Sequence, residues 1–153
     1  LPEGWRTAGM QTLLNAVRST GARQPVIAVG VDWGSDISHW LAYRPRDPAH
    51  QLVAGLHVYD FRGCGTSTCW TRAFQRTAHA VPVVATELGQ RACAAPFIEH
   101  FMRWADAAGV SYLGWAWAPF GCAAPALIRS WQGQPTASGV QFRAHLLGLS
   151  GKR

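Results

Sequence analysis

Hydrophobic residues along the chain form four short runs that are typical of buried β-strands. They occupy residues 26–31, 52–59, 81–86 and 110–117, and they are rich in β-branched side chains. Their starts lie 26, 29 and 29 residues apart. This spacing is close to the roughly 30 residues of one βαβ unit. The pattern therefore predicts four strands joined by crossover connections.

Between these runs, apolar residues recur at the spacing of an amphipathic helix. Met10, Leu13, Leu14 and Val17 follow the i, i+3, i+4, i+7 rule, and Gly21 provides a stop. The same reasoning predicts helices over residues 8–20, 37–41, 70–80, 97–105 and 138–147, with Gly109 closing the fourth.

Apolar strands that alternate with helices predict a parallel sheet covered by helices. Either an open doubly wound sheet or part of a (β/α)₈ barrel fits this pattern, and periodicity does not separate the two. The stretch after the first strand, VGVDWGSDIS, lacks the G-x-G-x-x-G of a dinucleotide fold, and no P-loop is present.

Composition fits one folded domain over residues 1–153. The chain is 48% hydrophobic and 14% charged, which argues against disorder. Eight tryptophans indicate either a heavy core or a surface for stacking. The net charge of +6 comes mostly from arginines that are scattered, so we expect no nucleic-acid partner. No apolar run reaches the roughly 18 residues of a membrane span, and no signal peptide is visible in the sequence given.

Four cysteines allow two disulfides in three connectivities. They are Cys64, Cys69, Cys93 and Cys122. A zinc site is the alternative, but the CxxC and HxxxH spacings typical of zinc are absent. We therefore expect disulfides, and with them an exported protein.

Polar and aromatic residues lie at the carboxyl ends of the predicted strands, where parallel α/β folds place their functional groups. In chain order they are Asp32, Trp33, His57, Tyr59, Asp60, Thr86, Glu87, Trp115 and Trp117. A carboxylate can attack the anomeric carbon of a sugar, and indole rings can stack on its C–H face. This combination favours chemistry on glycans.

Three segments carry a resemblance to glycoside hydrolase family 5, which includes many endoglucanases and mannanases. LHVYDF (56–61), VPVVATELGQ (81–90) and YLGWAWAP (112–119) resemble strands six, seven and eight of that family. Residues 26–41 resemble its strand five and the loop after it. The resemblance implies the C-terminal half of a (β/α)₈ barrel, built from strands five to eight with their helices.

The same resemblance implies a role for six residues. Glu87 matches the nucleophile. His57 and Tyr59 match the catalytic histidine and tyrosine, and the Tyr59 hydroxyl is expected to hold and tune the nucleophile. Trp115 matches the substrate platform, with Trp117 as the alternative and Trp33 as a further subsite contact. No metal or other cofactor is implied.

Purely structural roles for these residues are the alternative interpretation. Glu87 could be a surface or capping residue, and His57 a satisfied histidine of the core. Asp32 and Asp60 could cap the helices that follow them. On a continuous strand Trp115 and Trp117 would point the same way, with one stacking on sugar and the other packing against a helix.

The resemblance also implies a missing part. A retaining glycosidase needs a second carboxyl group as acid/base, and in this family it belongs to an Asn-Glu-Pro motif after strand four. That motif would precede residue 1, and the only carboxylate upstream of the predicted elements is Glu3. A split or truncated gene, a chain cut from a longer enzyme, and a half-barrel that assembles with a complementary half are the explanations, the first being favoured.

Three functions follow as hypotheses. The first is an endo-β-1,4-glucanase-like hydrolase of β-glucan or a related polysaccharide. Its full-length form would be secreted, and this half would be inactive alone. The second is a sugar-binding remnant that uses Trp33, Trp115 and Trp117, and the third is an unrelated α/β domain.

Overall fold

The computed structural model of the chain describes residues 7–150 and Gly4, and it contains one four-stranded parallel sheet. The strands are β1 (Val26–Val29), β2 (Leu52–Tyr59), β3 (Val83–Gly89) and β4 (Ser111–Gly114), in the order β1-β2-β3-β4. Neighbouring strands in space are consecutive in sequence, and every pair is parallel. The predicted strands are thus confirmed, and the architecture is that of four β/α units of a (β/α)₈ barrel.

Helices precede, separate and follow the strands. They are α1 (Met10–Ser19), α2 (Trp40–Tyr43), α3 (Ser67–Ala73), α4 (Gln75–Ala78), α5 (Pro96–Ala108) and α6 (Ala137–Ser150). The helix predicted over residues 70–80 is in fact two short helices, α3 and α4, that meet at Phe74. The Thr66 hydroxyl caps α3 by accepting a hydrogen bond from the backbone N–H of Cys69, and Gly109 ends α5 in a left-handed conformation.

The hydrophobic core lies between the sheet and the helices. Side chains on a strand alternate between its two faces, and the buried Ala54, Leu56 and Val58 of β2 belong to this core. Trp70 of α3 is fully buried and packs edge-on against Phe101 of α5. The helices thus cover one face of the sheet and leave the opposite, concave face without a covering layer among the described residues.

The concave face carries exposed apolar side chains. Ile27 and Val29 of β1 are 45% and 38% exposed, and Leu113 of β4 is 57% exposed. Within residues 7–150, β1 and β4 each pair on one side only. Both observations agree with a barrel of which half is described.

Across the part of the chain that the structure describes, no helix is both long enough and apolar enough to cross a membrane.

Candidate active site

A bulge in β3 sets the direction of Glu87. Leu56 of β2 pairs with Ala85, but the next residue, His57, pairs with Glu87, so β3 contributes one extra residue, Thr86. Such a bulge reverses the alternation of side chains beyond it. As a result Leu88 lies in the core, and Glu87 lies beside His57 at the open end of the sheet. Since β3 continues to Gly89, Glu87 is inside the strand and not after it.

Two side chains, those of Tyr59 and His57, contact the same oxygen of the Glu87 carboxylate. The Tyr59 hydroxyl donates a hydrogen bond of 2.5 Å to Oε2, and Nδ1 of His57 lies 3.3 Å from the same atom. His57 and Glu87 are both partly exposed, at 22% and 23% of their side-chain surface. No group within residues 7–150 donates a hydrogen bond to the other oxygen, Oε1. The carboxylate is therefore held through one oxygen, and the second has no hydrogen-bond partner among the described residues.

The environment of Tyr59 keeps its hydroxyl protonated. Burial is the largest cause that raises its pKa above the usual 10.0, and the hydrogen bond to Glu87 and the charge of that carboxylate raise it further. The positive charge of Arg62 acts in the opposite direction. Tyr59 is thus a neutral hydrogen-bond donor over the whole physiological pH range.

Two glycines allow His57 and Tyr59 to take these positions. Gly34 has a φ of +82°, and a Cβ at this position would lie 2.8 Å from Cγ of His57. The backbone carbonyl of Gly34 also accepts a hydrogen bond from the His57 N–H. At Gly89, a Cβ would lie 2.8 Å from Cε1 of Tyr59. The site therefore requires glycine at both positions, because a side chain there would occupy the space of the His57 or Tyr59 ring.

These groups line a cavity of about 270 Å³ at the carboxyl ends of the strands. Its lining consists of Trp33, His57, Tyr59, Phe61, Arg62, Glu87, Trp115 and Pro125. Trp33 is 81% exposed and Trp115 is 42% exposed, so both present indole surface to the solvent in the cavity. Five of the six residues that sequence reasoning singled out thus meet in one cavity.

The sixth residue, Trp117, lies elsewhere. The expectation that Trp115 and Trp117 point the same way is wrong, because β4 ends at Gly114 and the chain beyond it no longer alternates as a strand. The peptide bond between Trp115 and Ala116 is cis. Trp117 instead lines a separate apolar groove beside α6, with Leu127 and Phe142 among its neighbours. Of the three tryptophans that the sequence singled out, Trp115 and Trp33 therefore line the cavity.

The four cysteines form two disulfides, and both lie beyond the carboxyl ends of strands. Cys64, in the loop after β2, pairs with Cys69 in the first turn of α3. Cys93, in the loop after β3, pairs with Cys122, in the loop after β4. The backbone N–H of Ala92 also donates to the carbonyl of Cys122. The Cys93–Cys122 disulfide thus joins two loops at the carboxyl ends of the strands, where the cavity also lies.

Asp60 has a different partner from the one expected. Its Oδ1 accepts a hydrogen bond from the backbone N–H of Arg91, so it joins the loops after β2 and β3 and does not cap a helix. Asp32 has a positive φ of 52° in the turn after β1, where its backbone carbonyl accepts a hydrogen bond from Ser35. Neither carboxylate lines the cavity. Glu3 lies outside the described residues.

Sequence reasoning missed Phe61 and Arg62. Phe61 lies two residues after Tyr59, and its ring stacks on that of Tyr59 at 4.9 Å between centroids. The two-residue spacing of Tyr59 and Phe61 is the feature of the sequence that could have predicted Phe61. No sequence feature distinguishes Arg62, since it is one of many scattered arginines. In the described part of the chain, no group of three or more His, Cys, Asp or Glu side chains could hold a metal ion.

Comparison with known proteins places this geometry in a family. Residues 2–121 match the family described as Cellulase (glycosyl hydrolase family 5). No curated protein sequence matches the chain significantly.

Solved structures share the fold at low sequence identity. The β-glucanase SdGluc5_26A of Saccharophagus degradans superposes with a TM-score of 0.66 at 22% identity, over 80% of this chain and 41% of that one. For the endoglucanase Cel5A of Pseudomonas stutzeri the TM-score is 0.65 at 19% identity, over 89% of this chain and 49% of that one. For the β-mannanase of Thermomonospora fusca the TM-score is 0.63 at 18% identity, over 77% of this chain and 41% of that one.

The chain therefore spans less than half the length of each of these enzymes, and its four β/α units correspond to part of their barrels. Since the family match extends over most of the sequence, this chain belongs to the cellulase family, glycosyl hydrolase family 5.

Proposed function

We propose that this chain, as one domain, supplies the nucleophile half of a retaining hydrolase of β-glycans. Glu87 is the nucleophile, Tyr59 and His57 position it, and Trp115 and Trp33 bind the sugar. The observation that carries the proposal is the contact of both Tyr59 and His57 with Oε2 of Glu87, beside an exposed indole in the same cavity.

This arrangement suits attack by the free carboxylate oxygen. Oε1 of Glu87 forms a bond to the anomeric carbon, the glycosidic C–O bond breaks, and the leaving oxygen takes a proton from a general acid. The Tyr59 hydroxyl keeps the carboxylate in one orientation throughout. Orientation of this kind lowers the barrier because the reacting atoms need no further ordering.

The general acid is the part that the described residues do not provide. Glu87 is the only carboxylate among the residues that line the cavity. A retaining mechanism needs its second carboxyl group about 5 Å away. We therefore expect the chain alone to be inactive, or nearly so, on glycosides with poor leaving groups.

A complementary N-terminal half-barrel is the partner that we propose for the open face. The exposed apolar residues on the concave face are Ile27, Val29 and Leu113, and further ones lie on α1 (Met10, Leu13, Val17) and α6 (Val140, Leu146, Leu147). Four more strands would pair with the free edges of β1 and β4 and cover these side chains.

A β-1,4-glucan is the proposed substrate, and the cell exterior the proposed location. One structure of the S. degradans β-glucanase contains cellotetraose, which supports a β-glucan ligand. The two disulfides support an oxidising compartment.

A substrate that needs no acid catalysis tests the nucleophile directly. In a dinitrophenyl fluorocellobioside, fluorine replaces the hydroxyl next to the anomeric carbon, so that the glycosyl-enzyme ester breaks down slowly. Dinitrophenolate leaves without protonation. We expect one equivalent of dinitrophenolate and one fluorocellobiosyl group on Glu87, found by intact-mass and peptide mass spectrometry.

Matched variants make this experiment decisive. Glu87→Gln should abolish labelling, and Asp60→Asn, which removes a carboxylate near the cavity, should not. A folded native chain that acquires no label, or acquires it on another residue, would falsify the proposed nucleophile.

A second function is favoured by one observation. Trp33 is 81% exposed within the cavity, which also suits a non-catalytic sugar-binding module. Such a module would bind cello-oligosaccharides, with a change in tryptophan fluorescence, and would take no label from the fluorinated substrate.

A further inference from the structure

Two arginines lie close to one aromatic ring at the mouth of the cavity. Cζ of Arg91 lies 3.9 Å from the centroid of the Phe61 ring, and Cζ of Arg62 lies 6.0 Å from it. Phe61 in turn stacks on Tyr59, the partner of Glu87. The two positive charges are therefore held near the proposed reaction centre by an aromatic ring that itself lines the cavity.

Neither guanidinium has an anionic partner in the described part of the chain. Ion pairs are formed by Arg18 with Asp47 and by Arg103 with Glu99, but by neither Arg62 nor Arg91. Asp60 is the nearest carboxylate in sequence, and its Oδ1 is occupied by the backbone N–H of Arg91. Arg62, which lines the cavity, and Arg91, which lies over the Phe61 ring beside it, are both exposed and thus retain free side-chain donors.

The geometry of a stacked guanidinium suits a carboxylate ligand. A guanidinium that lies over a ring keeps its N–H groups in its own plane, where two of them can bind both oxygens of a carboxylate. Arg62 is itself part of the cavity lining. The charge of Arg62 also acts to lower the pKa of Tyr59, although burial and the contact with Glu87 raise that pKa by more. The electric field of Arg62 therefore extends to the proposed reaction centre.

We propose that Arg62 and Arg91 form a binding site for the carboxylate of an acidic sugar, such as a uronic acid carried by the glycan in the cavity. This inference rests on the proposed function, since it assigns an acidic glycan to the same site. The aromatic lining favours a sugar over other anions because Trp33 and Trp115 offer flat apolar surface to pyranose rings.

Binding to the full chain tests the proposal without requiring turnover. Tryptophan fluorescence or calorimetry would compare cellotetraose with cellotetraose in which primary hydroxyls have been oxidised to carboxylates. At low salt we expect the acidic ligand to bind about tenfold more tightly, since a charge-assisted hydrogen bond contributes about 1.5 kcal/mol or more. The preference should shrink in about 1 M salt, where the Debye length is about 3 Å.

Variants separate this site from general attraction to a basic protein. Arg91→Gln should reduce the preference for the acidic ligand and leave the affinity for cellotetraose unchanged, because Arg91 does not line the cavity. Arg62→Gln should reduce the affinity for the acidic ligand more than the affinity for cellotetraose. Arg23→Gln is the matched control, because Arg23 is also an exposed arginine but lies before β1, at the opposite end of the sheet. It should retain the preference.

The outcomes distinguish this inference from the proposed function. Equal affinity of the native chain for both ligands, or a preference that Arg23→Gln reduces as much as the other variants, overturns the carboxylate site alone. If neither ligand binds and the fluorinated substrate gives no label, the glycan function fails as well.

Discussion

The hydroxyl of Tyr59 and the carboxylate of Glu87 form a 2.5 Å hydrogen bond between neighbouring strands. The bond engages Oε2, the same atom that His57 approaches, and so it determines which carboxylate oxygen is free. Because the residues come from β2 and β3, a one-residue change of register between these strands would separate them. The bulge at Thr86 is thus what brings the pair together.

Replacing Tyr59 with phenylalanine tests this contact. We expect Tyr59→Phe to slow labelling of Glu87 by the fluorinated substrate about tenfold to a hundredfold. A hydrogen bond to a charged group contributes about 1.5–3 kcal/mol, and 1.36 kcal/mol corresponds to about a factor of ten in rate. The labelling rate is measured by release of dinitrophenolate.

Tyr112→Phe is the control for this variant. Tyr112 donates a comparable hydrogen bond of 2.9 Å to Asp106, away from the cavity. Its loss should leave the labelling rate unchanged. Equal slowing by both substitutions would mean that the Tyr59 effect reflects general loss of structure.

The stability of the protein should decrease at alkaline pH. Burial, and then hydrogen bonding to a carboxylate, raise the pKa of both Tyr59 and Tyr112 above the usual 10.0. Since the folded pKa exceeds the unfolded one, this contribution to stability is complete below about pH 10 and is lost as the pH rises toward the folded pKa.

Melting temperatures measured from about pH 8 to about pH 12 would reveal this dependence. The native protein should lose stability more steeply above about pH 10 than the double variant Tyr59→Phe/Tyr112→Phe. Parallel curves for the two proteins would contradict the prediction.

The two tryptophans after β4 should differ in ligand binding. Trp115→Ala should weaken cellotetraose binding about tenfold, because an aromatic contact contributes up to about 1.5 kcal/mol. Trp117→Ala removes an equally large side chain, but from the groove beside α6, and should not change the affinity. Titration of both variants checks this, and the reverse order would show that Trp117 is the platform.

The two disulfides should contribute unequally to stability. Cys93–Cys122 closes a loop with a sequence separation of 29, and Cys64–Cys69 closes one of 5. Loop-closure entropy then predicts a loss of about 4 kcal/mol in the free energy of unfolding for Cys93→Ser/Cys122→Ser and about 2 kcal/mol for Cys64→Ser/Cys69→Ser. Urea denaturation would measure both, and a larger loss for the shorter loop would contradict the chain-entropy explanation.

Much of the fold could be predicted because parallel strands are marked by short apolar runs. Every predicted strand is present, and the order of the four follows from their regular spacing. The proximity of His57, Tyr59 and Glu87 was also predictable, since the carboxyl ends of neighbouring parallel strands meet at one edge.

The remainder depends on local geometry that the pattern does not contain. Whether Glu87 or Thr86 lies beside His57 depends on the bulge in β3. The sequence of the segment VATEL (84–88) does not indicate whether a bulge is present. The direction of Trp117 depends on where β4 stops pairing. The pairing of the cysteines depends on which loops lie side by side, and this emerges only once the sheet has formed.

Gly34 shows that the proposed reaction centre depends on residues beyond those that carry its chemical groups. It has no functional side chain, yet the imidazole of His57 occupies the space that a side chain there would need. A methyl group at this position would displace the ring from the carboxylate and strain the turn. The proposed chemistry is therefore lost without the loss of any reactive atom when this glycine is replaced, and a homologue that keeps Glu87, Tyr59 and His57 but lacks a glycine here should not be assumed competent.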